Sequence, residues 1–251
     1  MMKSLYVISL FGLFVIQGCD IQSSQVENGS TTDNEAEHTA VVSSHGDQVE
    51  LHAPGWGDMR FELPTPGSYE LPPFGEAADG NVLTKDGDKK RLADFYGDKV
   101  VLLSFMYTQC SDLNGCPLVT AVYYKIKEAL KNDPELSDQL RLISLSFDPN
   151  YDTPEVMKFY GQGSEDFGGP EWQFLTTESE AELIPITDAF GQYVNQEYDE
   201  EGNATNRFAH ILRVFLIDKN GLKRSQYSAT FLHDQSVITD LKTLLKEENN
   251  A

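Results

Sequence analysis

Two cysteines and one histidine carry most of the chemistry available to this sequence. Cys110 and Cys116 bound a polar loop, Ser111-Asp-Leu-Asn-Gly115, and His210 stands immediately before a strongly apolar run. Two thiolates and an imidazole make a soft donor set suited above all to Cu(I). Zn(II) fits by ligand type but would lack a fourth ligand. The same pair of thiols could instead cycle between dithiol and disulfide. From residue types alone the simpler reading of His210 is a hydrogen-bonded strand-end side chain, with the ligand reading beside it. Pro117 reads as the opening of a helix, because it has no amide hydrogen to leave unpaired and its φ is already helical. Cys116 then sits at or next to the helix N-cap, where free amides and the dipole favour thiolate over thiol.

The elements that must hold these residues follow from the hydrophobic pattern. Lys99–Tyr107 is short, apolar and strand-like throughout, as expected of a strand buried on both faces. After the cysteine loop, Leu118, Val119, Val122, Tyr123, Ile126 and Leu130 recur at helical spacing. Leu140–Phe147 is a second buried strand, and Asp152-Thr-Pro-Glu155 is an N-terminal helix signature with Asp152 as the cap. Trp172–Leu175 is a third strand, Glu178–Phe190 a helix broken or kinked at Pro185, and Ile211–Ile217 a fourth strand. A turn at Asp218-Lys-Asn-Gly221 leads into Leu222–Tyr227. Val237, Leu241, Leu244 and Leu245 give the apolar stripe of a last helix, while Val82–Thr84 with Asp86-Gly-Asp88 forms a hairpin ahead of the domain's centre. The expected fold class is therefore α/β, a thioredoxin-like fold with a central mixed sheet flanked by helices and an added N-terminal hairpin. In such a sheet the start of the last central hairpin lies beside the cysteine loop, which brings His210 towards Cys110 and Cys116. Asp148, before a proline, either closes a turn or supports the site from behind the ligands. Tyr107 and Thr108 pack beneath the loop.

The N-terminus bears on location. Lys3 followed by Leu5–Ile16 has the form of a signal peptide and is too short for a confident membrane span. It ends in Ile16-Gln-Gly-Cys19, which resembles a bacterial lipobox. Residues 1–18 would be the leader and Cys19 the lipidated residue; Asp20 resembles the signal that retains lipoproteins at the inner membrane. The expected location is an inner-membrane lipoprotein whose domain faces the periplasm. With Cys19 taken by lipid, Cys110 and Cys116 are the two thiols left of three cysteines. Residues 19–67 form the tether. Residues 20–47 have too few aliphatic side chains to offset ordering entropy, and about 48 residues of flexible coil reach roughly 40 Å. Val49–Tyr69, with Trp56 and Phe61, is either more tether or an irregular arm packed on the domain 68–251. His38, His45 and His52 recur every seven residues, which imitates a metal-scavenging string but reads more simply as scattered linker polarity. A net charge of −21 argues against nucleic acid as a partner and would steer the protein towards basic surfaces.

Several strings together resemble the SCO/SenC proteins, thioredoxin-fold copper chaperones of cytochrome c oxidase assembly. They are Phe105-Met-Tyr-Thr-Gln-Cys110 with Cys116-Pro117; Ser146-Phe-Asp-Pro-Asn-Tyr-Asp-Thr-Pro-Glu155; Trp172-Gln-Phe-Leu-Thr176; and His210 with Asp218 eight residues on. They span residues from about 80 to 245. The resemblance implies that Cys110, Cys116 and His210 are copper ligands. It also implies that the anchored protein delivers copper to, or reduces the cysteines of, the copper-carrying subunit of a respiratory oxidase or another periplasmic copper protein. It makes the chain a metallochaperone first, with thiol-disulfide reductase activity as a secondary prospect. One departure stands out. The family pattern has three residues between its cysteines and Pro after the first, whereas this chain has five and Ser111.

Other classes fit less well. A dedicated thiol-disulfide oxidoreductase, with Cys110 and Cys116 as its catalytic pair, would be expected to carry Cys-x-x-Cys after a tryptophan, which is absent. A peroxidase of the peroxiredoxin kind needs Thr three before its cysteine, and Thr108 is two before. A redox or copper sensor that delivers nothing remains a third alternative.

Overall fold

The computed structural model describes residues 52–250. The expected leader, Cys19, His38, His45 and most of the tether lie outside them. In chain order the elements are β1 (Asn81–Thr84), β2 (Lys89–Arg91), β3 (Val100–Met106), α1 (Cys116–Leu130), α2 (Pro134–Ser137), β4 (Leu140–Ser146), α3 (Pro154–Tyr160), β5 (Glu171–Thr176), α4 (Glu180–Ala189), β6 (Val194–Tyr198), β7 (Ala204–His210), β8 (Val214–Ile217), β9 (Lys223–Tyr227) and α5 (Asp234–Asn250).

Among the described residues the main sheet has seven strands in the order β2-β1-β5-β4-β3-β8-β9. β3, β4 and β5 are parallel, β8 and β9 close one side antiparallel, and the β1–β2 hairpin closes the other. This is the thioredoxin-like mixed sheet anticipated from the sequence, including the N-terminal hairpin. β3 and β4 are buried along their whole length because both faces are covered. α1 packs on β3 and α5, α3 on β5, and α4 on β1. The buried face of α1 is Leu118, Val119, Val122, Tyr123, Ile126 and Leu130, each contributing about 1.5–3 kcal/mol by leaving water. Tyr123 enters the core because its hydroxyl donates to the Leu102 carbonyl at 3.0 Å.

Three details differ from the sequence reading. α4 runs through Pro185 as one element. The cap of α3 is Thr153, whose hydroxyl accepts from the Val156 amide, and Asp152 is released for another role. The last central strand begins at Val214 rather than Ile211. His210 instead ends β7, half of a separate two-stranded sheet with β6 that pairs Val194 with His210. Of the two readings left open for Val49–Tyr69, residues 52–67 take that of the packed arm. Pro54–Trp56 form a short 3-10 turn against α1, and the Gly67 amide donates to Thr243 of α5 at 3.0 Å.

Candidate metal centre

Chain topology brings the three candidate ligands together. Cys110 follows the C-terminal end of β3 and Cys116 is the first residue of α1, so a strand end and a helix start enclose the loop. β8 runs antiparallel to β3, pairing Val214 with Ser104. The residues before β8 therefore arrive beside the C-terminal end of β3, where open α/β sheets bind ligands. His210 comes with them. The donor atoms of Cys110, Cys116 and His210 all lie within 4.8 Å of one another, and among the described residues this is the one cluster of its kind. Cys116 is buried, whereas Cys110 and His210 are half-buried, so the site has an inner and an outer side.

The two sulfurs are not equivalent. The Cys110 thiol is pushed far down. The Cys116 side chain donates to its sulfur, and against the opposing effect of burial His210 and the amides of Cys116 and Asp112 also favour the anion. Cys116 is pushed well up because it gives its proton to the Cys110 thiolate and lies in the core. The helix N-terminus does act, its amide favouring the anion on both sulfurs, but at Cys116 the proton given to Cys110 and burial outweigh it. Here the structure corrects the sequence reading, which placed the anion on Cys116. No disulfide joins the pair.

The His210 ring sits in an aromatic enclosure, edge-on to Phe147 at 4.8 Å and to Tyr107 at 6.2 Å, with Phe208 packed on both. The Tyr107 hydroxyl is pushed up to about 12 by burial and by the negative Cys110 beside it. Nδ1 of His210 is buried without a hydrogen-bond partner. An imidazole nitrogen within 4.8 Å of both a thiolate and a thiol makes a soft donor set that fits a bound soft cation better than a purely structural histidine. Zn(II) is less well matched, since among the described residues no fourth His, Cys, Asp or Glu joins the cluster.

Asp148 is outside this group. Its amide donates to Ser146, its carboxyl is pushed up by burial and by the charge of Asp152, and it accepts from the turn amides of Tyr151 and Asn150. The residue that supports the loop is Asp152. Fully buried, its carboxylate accepts from the Thr108 amide at 3.0 Å, from the Thr108 hydroxyl, and from Ser146 at 2.5 Å. Sequence reading missed this role because Asp before Thr-Pro-Glu satisfies the helix-cap pattern just as well. It also missed the β6–β7 hairpin that carries His210. The turn signal Asp199-Glu-Glu-Gly-Asn203 was available, but the strands are mostly polar.

A model of the SCO1/SenC family matches residues 78–246. A comparison with curated proteins gave no match. Solved structures with the same fold include apo Sco1 of Thermus thermophilus, at 27% identity and a TM-score of 0.56 over 72% of this chain and 97% of that one. A SCO1/SenC family lipoprotein of Bacillus anthracis is 25% identical with a TM-score of 0.56, covering 69% of this chain and 97% of its own. Copper-bound ScoI of Bradyrhizobium japonicum is 23% identical with a TM-score of 0.53, covering 66% and 98%. With the family model spanning fold and cysteine–histidine cluster alike, the chain belongs to the SCO1/SenC family.

Proposed function

We propose that this is a membrane-anchored copper-binding protein that delivers copper to, or reduces the copper-site cysteines of, a respiratory cytochrome c oxidase subunit. The observation that carries the reading is the convergence of Cys110, Cys116 and His210. Cu(I) would take the Cys110 thiolate, displace the proton shared with Cys116, and take a ring nitrogen of His210 as its third donor. The half-buried Cys110 is the sulfur an acceptor's thiol could reach first. If the cargo is electrons, Cys110 attacks the client disulfide, Cys116 resolves the mixed disulfide, and the client leaves as a dithiol while this pair becomes a disulfide.

The test is Cu(I) titration of the reduced full-length chain in detergent. One equivalent bound, and lost in Cys110→Ser, Cys116→Ser and His210→Ala, supports the copper reading. No copper bound together with rapid thiol-disulfide exchange would replace it with the oxidoreductase reading. The lipid anchor and the periplasmic location rest on the lipobox-like Ile16-Gln-Gly-Cys19; for the anchor alone, the Bacillus anthracis relative is likewise a lipoprotein. Incorporation of labelled palmitate that disappears in Cys19→Ala is the expected result, and equal label in both would remove the anchor.

A further inference from the structure

The loop between the cysteines is two residues longer than the three-residue spacing typical of its relatives, and an unsupported loop of this kind would leave Cys110 loosely placed against Cys116. It is held. Within it the Asn114 amide donates to Asp112 Oδ1 and the Gly115 amide to the Asp112 carbonyl, both at 2.9 Å. From outside, the N-terminal arm grips the middle of the loop at Leu113 and Asn114. The Ala53 amide donates to Asn114 Oδ1 at 2.8 Å, and Trp56 Nε1 donates to the Leu113 carbonyl at 3.0 Å.

The arm is itself fixed. Lys125 of α1 donates from Nζ to the carbonyls of Gly55 at 2.7 Å and Gly57 at 3.2 Å, and His233 Nε2 lies 3.3 Å from the same Gly57 oxygen. Gly55 is buried so tightly that a Cβ there would stand 2.4 Å from the Leu232 carbonyl and 2.9 Å from Val122. A residue with a side chain could not take this path.

We infer that Ala53–Gly57 is a positioning element of the cysteine centre, a latch that orders the widened Cys110–Cys116 loop before metal or disulfide forms. The consequence follows from preorganisation. A loop already ordered by the arm need not lose that freedom when Cu(I) joins the two sulfurs, or when they oxidise to each other. The first of these readouts rests on the copper reading and the second does not.

Two variants release the latch without touching a ligand. Trp56→Phe keeps an aromatic side chain, though a smaller one, and deletes the indole N–H, and Lys125→Met frees the arm from α1 on its far side. In the full-length chain each is expected to weaken Cu(I) binding about three- to tenfold. Each should also shift the equilibrium with reduced and oxidised glutathione towards the dithiol by a similar factor, and speed amide exchange at Asn114 and Gly115. A lower Tm with all three readouts unchanged would make the arm mere packing and overturn the inference. If the parent chain binds no copper, the copper reading fails alone. The latch then stands or falls on the glutathione equilibrium and amide exchange, and unaltered exchange in both variants refutes it.

Discussion

At the scale of single residues, the decisive competition is at Cys116, between a helix N-terminus that favours a thiolate and the neighbouring Cys110 and core position that oppose one. The hydrogen bond to Cys110 and, after it, burial win, and the proton stays on Cys116 where it is donated to Cys110. The result is one nucleophilic sulfur on the outer side and a reserve thiol behind it, an asymmetry useful whether the cargo is copper or electrons. In the reduced, metal-free protein Cys110 is therefore expected to react with iodoacetamide well before Cys116. In Cys116→Ala the pH midpoint of Cys110 alkylation should move up, because the hydrogen bond that contributes most to lowering it is gone. Peptide-resolved mass spectrometry against pH measures both. Equal labelling of the two cysteines in the parent protein would contradict the assignment.

At the scale of elements, the site depends on what fastens the loop after β3. One end is held by Asp152, which ties Thr108 to Ser146 at the end of β4, and the other by the start of α1. Removing this carboxylate strands buried donors, which costs more than losing an exposed cap. Asp152→Ala is expected to destabilise the protein by about 2–4 kcal/mol, against about 1 kcal/mol for Thr153→Ala at the actual cap of α3. Urea unfolding of the two variants separates the roles, and a larger loss in Thr153→Ala would restore Asp152 to the cap. The aspartate was legible as a structural residue from its motif. Its partners were not, because Thr108 lies 44 positions away and meets it only when β3 and β4 pair in parallel.

At the scale of the whole molecule, charge dominates. The chain carries −21, and the carboxylates that matter for stability are those the fold has paired. Arg141 on β4 bonds Asp98 on one side and Glu171 of β5 on the other, and also the Phe95 carbonyl. Asp98 is held below its ordinary range by Arg141. Glu171 is lowered too, its partial burial being outweighed by Arg141 and Lys99. Their folded-state values lie below the unfolded ones, so protonation favours the unfolded chain. The stability they contribute is present above about pH 4.5 and is lost as pH falls through the depressed values. Asp148, shifted upward, works in the opposite sense and softens the decline. The urea midpoint should accordingly drop on going from about pH 5 to pH 3, and Arg141→Met should both lower it and flatten that dependence. A parallel pH profile in the variant would exclude Arg141 as the cause.

Much of this protein was determined by its sequence alone. Fully apolar runs at Val100–Met106 and Leu140–Ser146 have to be central strands, because only a sheet covered on both faces buries them. Pro117 after Cys116 has to open a helix, and the spacing of Cys110, Cys116 and His210 within the family motifs already pointed to one cluster. Tertiary structure alone decided which sulfur carries the charge, since that depends on depth and on who donates to whom. It decided that His210 arrives on a polar hairpin, since β6 and β7 bury too little to announce themselves by periodicity. It also decided that the arm at Ala53–Gly57 closes over the widened loop. Hydrogen bonds between residues about sixty positions apart leave no periodic trace in a sequence, because their partners are neighbours in the fold and not along the chain.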